Sequence, residues 1–197
     1  MSGWAFGGPG GVAVARGEAR WSVPLNSFCV TSAELLTDAF GRVQETVHEA
    51  VDGLSADQLA ARLDEDANSI AWLCWHLARV QDDHVAHAFG VEQVWPGFAD
   101  RFGLPFGPGA TGYGHSSAQV ALVRISSADL LTGYHDAVHE QTVALVADLT
   151  DADLSRVVDE RWDPPVTLGV RLVSVISDCL QHAGQAVFIR GILLRER

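Results

Sequence analysis

From Asn68 to Gly90 the chain reads NSIAWLCWHLARVQDDHVAHAFG: a polar residue able to cap a helix, a long run without Gly or Pro, and a closing Gly. Leu73, Leu77 and Val80 recur at helical spacing, so the run predicts one long core-facing helix. Upstream, Thr31 and Glu34 form a capping box in which hydroxyl and carboxylate satisfy free backbone donors reciprocally. Leu36, Phe40, Val43, Val47, Val51 and Leu54 then repeat on one face, and Gly53 marks the end of a first helix. Ser55 and Gln58 offer a second capping box, which predicts a short helical turn over 55–63.

Downstream, Val91 to Ser126 alternates Gly97, Gly103, Gly107, Gly109, Gly112 and Gly114 with Trp95, Phe98, Phe102, Phe106 and Tyr113. A connection this long inside a compact domain is more often functional than idle. A third helix follows from Ser127 to about Leu149, burying Leu131, Tyr134, Val138, Leu145 and Leu149. A polar connection with Pro164 and Pro165 leads to Thr167, the cap of a fourth helix, TLGVRLVSVISDCLQHAGQAVFIRGILL. That helix is apolar on most sides, which predicts that it is the most buried of the set and carries part of a homodimer interface. Four long helices with no strand pattern between them predict an all-α, four-helix bundle over residues 29–197. Residues 1–28, with Gly3, Gly7, Gly8, Gly10, Gly11, Gly17, Pro9 and Pro24, read as a flexible Gly-rich tail, or as an arm laid on a partner through Trp4, Phe6 and Trp21.

The 197 residues include 13 Arg, no Lys and 25 acidic residues, a formal net charge of −12. A phosphate backbone would be repelled, and no Arg cluster supplies a basic face, so no nucleic-acid partner is expected. The sequence contains no unbroken apolar stretch of the roughly 18 residues that a membrane span needs. The N-terminal residues also lack the apolar block of a secretory signal. Three scattered cysteines, Cys29, Cys74 and Cys179, do not make a disulfide framework. A cytoplasmic protein without a membrane partner is therefore the expectation.

Asp178 and His182 stand four apart on the fourth helix, so both side chains can reach one point between helices. Burying a lone carboxylate costs several kcal/mol, so Asp178 between Ile176 and Leu180 needs a cation, a hydrogen-bond partner or solvent. His76, among Leu73, Leu77 and Val80, presents a third polar group on a buried face. Two imidazoles and one carboxylate leave positions open for water or substrate, as catalytic metal sites do. The same residues also read as a hydrogen-bonded core histidine and a buried Asp–His pair. His135 and His139 form a competing pair, with His139 on what reads as a solvated flank beside Asp136 and Glu140. Cys179 is an alternative third ligand, although a buried free Cys usually acts as a small hydrophobe.

Three stretches resemble the DinB-like (DinB/YfiT) superfamily: Ser69 to Val80; Phe102-Gly103-Leu104-Pro105 with Thr111-Gly112-Tyr113-Gly114-His115; and Asp178 to Gln185. The resemblance spans residues 30–195. It implies a bundle that holds one divalent ion through a His of the second long helix and two residues four apart on the last, here His76, Asp178 and His182. Many members carry His where this chain has Asp178; the branch similar to mycothiol-dependent maleylpyruvate isomerase carries Glu. Zn²⁺ is the expected ion, with Ni, Fe or Mn as others. The resemblance further implies an enzyme using a low-molecular-weight thiol such as mycothiol, a transferase or isomerase, on a small-molecule substrate. A hydrolase using metal-bound hydroxide and a non-enzymatic, metal-stabilised binding or stress protein are the alternatives. Arg79, Tyr113 and His115 are the expected substrate-pocket residues, with a surface ion pair to Asp82 or Asp83 as the other role for Arg79.

Overall fold

The computed structural model describes residues 30–195, so the expected tail over 1–28 lies outside the described residues. Helix α1, Ser32–Val51, starts on the Thr31–Glu34 capping box and gives way to Gly53 at φ +66°. Helix α2, Ala56–Ala60, starts on the Ser55–Gln58 box. Helix α3, Ile70–Phe89, is capped by the Ser69 hydroxyl and closed by Gly90 in the left-handed conformation. Two short helices, α4 (Ala99–Phe102) and α5 (Ser117–Ala121), break up the Gly-rich connection that the sequence presents as a single loop. Helix α6, Ala128–Val146, precedes a small antiparallel hairpin of β1 (Val157–Asp159) and β2 (Val166–Thr167), and α7 runs from Leu168 to Leu193.

The four long helices pack α1 against α6 and α7, and α3 against α6 and α7, around one continuous apolar core. This is the all-α arrangement of long helices that the sequence predicts. Two expectations need correction. The hairpin was not anticipated: its strands are too short to show an alternating pattern, and its turn is held by Arg161, whose backbone and guanidinium both donate to Asp159. The most buried helix is α3, not α7. Helix α3 lies between α6 and α7 and carries the aromatic connection on its remaining side, with Trp75 packed on Trp95, Phe106 and His115. Helix α7 instead leaves Val170, Val173, Leu180 and Phe188 exposed.

Within α6, Leu131, Tyr134 and Val138 are buried as expected and Leu145 is half-buried, as is Leu149 three residues beyond the end of the helix. His135 is buried with neither ring nitrogen hydrogen-bonded, and burial pushes its pKa down to about 3. His139 is half-buried, and its Nδ1 has no partner either. This pair belongs to the α6 core rather than to a ligand cluster.

Candidate metal centre

Helix α3 packs most extensively against α7, and this contact brings His76 up to Asp178 and His182. One ligand atom from each of the three lies within 4.8 Å of the others. Four-coordinate zinc with bonds of about 2.0–2.1 Å sets its ligand atoms about 3.4 Å apart. The His182 Nε2 to Asp178 Oδ1 separation of 3.6 Å is already close to that.

The hydrogen bonds around the imidazoles determine which nitrogens face the common point. His76 Nδ1 lies 2.6 Å from the Thr111 carbonyl, to which it donates, and His182 Nδ1 lies 3.2 Å from Gln185 Oε1. Both contacts leave Nε2 as the free, lone-pair-bearing atom, the arrangement that outer partners impose on metal-binding histidines. Asp178 Oδ2 is buried without a hydrogen-bond partner. A buried carboxylate with one oxygen unpaired and the other facing His182 Nε2 fits a divalent cation held with His76 and needs one. Burial works against the Asp178 carboxylate, but His182, His76 and His84 together hold its pKa below the ordinary range. Asp178 in turn raises the pKa of His182, while burial lowers that of His76.

The loop is shaped to make the Thr111 contact. Gly112 adopts φ +95°, and a Cβ built there would stand 2.8 Å from His76 Nδ1 and 3.1 Å from the Trp75 ring. Only Gly lets the backbone come this close. Trp72 stacks on His76 at 4.6 Å between ring centroids and fixes the far face of that imidazole. Cys179 points elsewhere: its buried thiol donates to the Leu77 carbonyl.

A cleft of about 590 Å³ opens beside His76 and Asp178. Tyr113, 93% exposed, stands at its edge, but the other two expected pocket residues do not line it. His115 accepts from the Trp72 indole at 3.3 Å and packs between Trp75 and Phe106. Arg79 is fully buried, bonded to Asp82, Tyr134, Gln93 and the Ala110 carbonyl, so its pair with Asp82 is a core pair and not a surface one. The sequence reading missed His84, Asp83 and Arg171, which line the cleft. His84 lies two helical turns after His76, and Arg171 lies two before Asp178, so helical spacing alone places them on the ligand faces.

Residues 35–194 match the sequence model of the family described as Mycothiol-S-transferase. No curated protein matches the chain. Among solved structures, a conserved protein from Enterococcus faecalis superposes with a TM-score of 0.75 at 28% identity, over 81% of this chain and 95% of that one. The chain belongs to the mycothiol-S-transferase family of DinB-like proteins.

Proposed function

We propose that the protein is a divalent-metal-dependent transferase that joins a low-molecular-weight thiol, mycothiol, to a small electrophile. The observation that carries this reading is the convergence of His76, Asp178 and His182, one ligand atom from each within 4.8 Å of the others, beside an open cleft. When bound there, a divalent ion, Zn²⁺ first among the choices, favours the thiolate at neutral pH. His76, Asp178 and His182 hold the ion, and Tyr113 borders the path by which substrate enters.

The two cysteines among the described residues support an external thiol. Burial pushes the Cys74 thiol up to about 12 and raises that of Cys179 as well, so neither is a nucleophile at neutral pH. The transfer balances without an oxidant: the thiol gives up its proton, its sulfur bonds to the electrophilic carbon, and the leaving group departs with the electron pair of the broken bond. Reversible addition of the same thiolate to a double bond would give the isomerase form of this chemistry. We place the protein in the cytoplasm, where Cys74 and Cys179, both free among the described residues, stay reduced.

The test is mycothiol consumption by zinc-loaded protein with 1-chloro-2,4-dinitrobenzene. The expected rate is at least about tenfold above buffer, lost on chelation and restored by zinc. A rate equal to buffer with Zn, Ni, Fe and Mn alike would sink the proposal.

The exposed Val170, Val173, Leu180 and Phe188 on α7 support a homodimer, because a core-facing helix needs only one apolar stripe. Sedimentation velocity at micromolar concentration should give twice the chain mass. A monomer would remove the dimer and leave the metal centre untouched.

A further inference from the structure

The cleft beside the metal centre is lined by α3 and α7, with Val80 and Val175 among its apolar residues. Two aromatic side chains border it without being covered by the protein: Tyr113, and Trp162, which is 65% exposed. A single exposed aromatic needs no explanation, but two on the rim of one cleft mark a place where a ligand is gripped. Tyr and Trp each lose only two torsions on contact, so they supply area at low entropic cost.

Both are carried by backbone that other parts of the protein brace. Tyr113 lies between Gly112 at φ +95° and Gly114 at φ +72°, in a turn tied to His76 through the Thr111 carbonyl. Trp162 lies in the turn between β1 and β2, next to Arg161, and the Asp159 carboxylate joins that hairpin to Arg171 of α7 at 2.9 Å. The two side chains thus reach the cleft from separate segments, one tied to the His76 end and the other to the Arg171 end. A cleft of about 590 Å³ has room for a substituted ring beside the end of a thiol.

We propose that Trp162 and Tyr113 form the subsite for the electrophile and select a planar, conjugated one, whose ring lies against theirs while its reactive carbon faces the metal side of the cleft. Stacked and edge-on ring contacts favour such a body over an aliphatic chain. This rests on the thiol-transferase reading, to which it adds the class of electrophile and a specificity-determining residue, Trp162. With 1-chloro-2,4-dinitrobenzene, the thiol sulfur bonds to the chlorine-bearing carbon, chloride leaves with the electron pair of the broken bond, and the thiol proton passes to buffer.

The experiment is calorimetric titration of the full chain with 2,4-dinitroaniline, a planar and unreactive analogue, alongside kinetics with 1-chloro-2,4-dinitrobenzene and with aliphatic iodoacetamide. Trp162→Ala should weaken dinitroaniline binding by at least about fivefold, Tyr113→Ala should act in the same direction, and Trp162→Phe should recover most of the loss. Zinc content and melting temperature should stay at wild-type values, because neither side chain is a ligand or part of the core. In the kinetics, Trp162→Ala should raise KM for the aromatic substrate more than it lowers kcat, and reduce the preference for it over iodoacetamide by a similar factor. No binding of dinitroaniline to wild type, or equal affinity in wild type and Trp162→Ala, would overturn the subsite and leave the metal–thiol reading standing. Trp162-dependent dinitroaniline binding without mycothiol consumption above buffer would sink the functional reading and keep the cleft as a site for planar ligands.

Discussion

Replacing His182 by alanine is expected to reduce bound zinc from about one ion per chain to a few per cent of that after gel filtration. Structural zinc sites bind with about 10–16 kcal/mol, so losing one of three protein ligands removes on the order of 3–5 kcal/mol, a factor of roughly 10²–10⁴ in affinity. Asp178→Asn keeps an oxygen donor and loses the charge, so its loss should be smaller. Cys179→Ala should keep full metal content, because that thiol faces the Leu77 carbonyl in the core. Metal analysis by mass spectrometry distinguishes these outcomes. Equal zinc in wild type and His182→Ala would remove the centre from these residues, and loss confined to Cys179→Ala would move it.

The parts of this protein that were legible in the sequence are those governed by spacing within one helix. The hydroxyl–carboxylate and hydroxyl–amide boxes at Thr31 and Ser55 set helix starts because each is a local hydrogen-bond exchange, complete within four residues. Asp178 and His182 were legible for the same reason. What stayed hidden depends on contacts between distant segments. The Thr111 carbonyl that orients His76 comes from a loop 35 residues away, and periodicity carries no trace of it. Apolar content did not rank α3 against α7, because burial depends on how many neighbours a helix has: α7 keeps an apolar face toward solvent, while α3 is covered by two long helices and the aromatic loop. Arg79 shows the same limit. Its charge pattern with Asp82 fits a surface pair, and only the packed Tyr134 and Trp95 make it a core pair.

That core pair gives the largest expected stability effect away from the metal. Arg79 and Asp82, at most 1% exposed, meet at 3.2 Å, and Asp82 also accepts from Tyr134 Oη and from the backbone N–H groups of Val94 and Trp95. Tyr134 remains a protonated donor, since burial raises its pKa far above neutrality. Arg79→Met leaves a buried carboxylate without its cation, a loss of about 3–5 kcal/mol. For a domain of this size that lowers Tm by roughly 6–20 °C. The pair also couples to the metal centre: Arg79 Nε donates to the Ala110 carbonyl at 3.0 Å, one residue before the Thr111 carbonyl that holds His76. Zinc affinity in Arg79→Met should therefore fall even at temperatures where the protein is fully folded. Replacing both partners, as Arg79→Met with Asp82→Leu, removes the stranded charge and should cost less than the sum of the two single changes. Circular dichroism melts and competitive zinc titration read the two effects separately. A single-variant loss below about 1 kcal/mol would show that Asp82 is adequately solvated by Tyr134 and the two backbone donors alone. Unchanged zinc affinity would show that the wedge of Gly112, Trp72 and Trp75 positions Thr111 without Arg79.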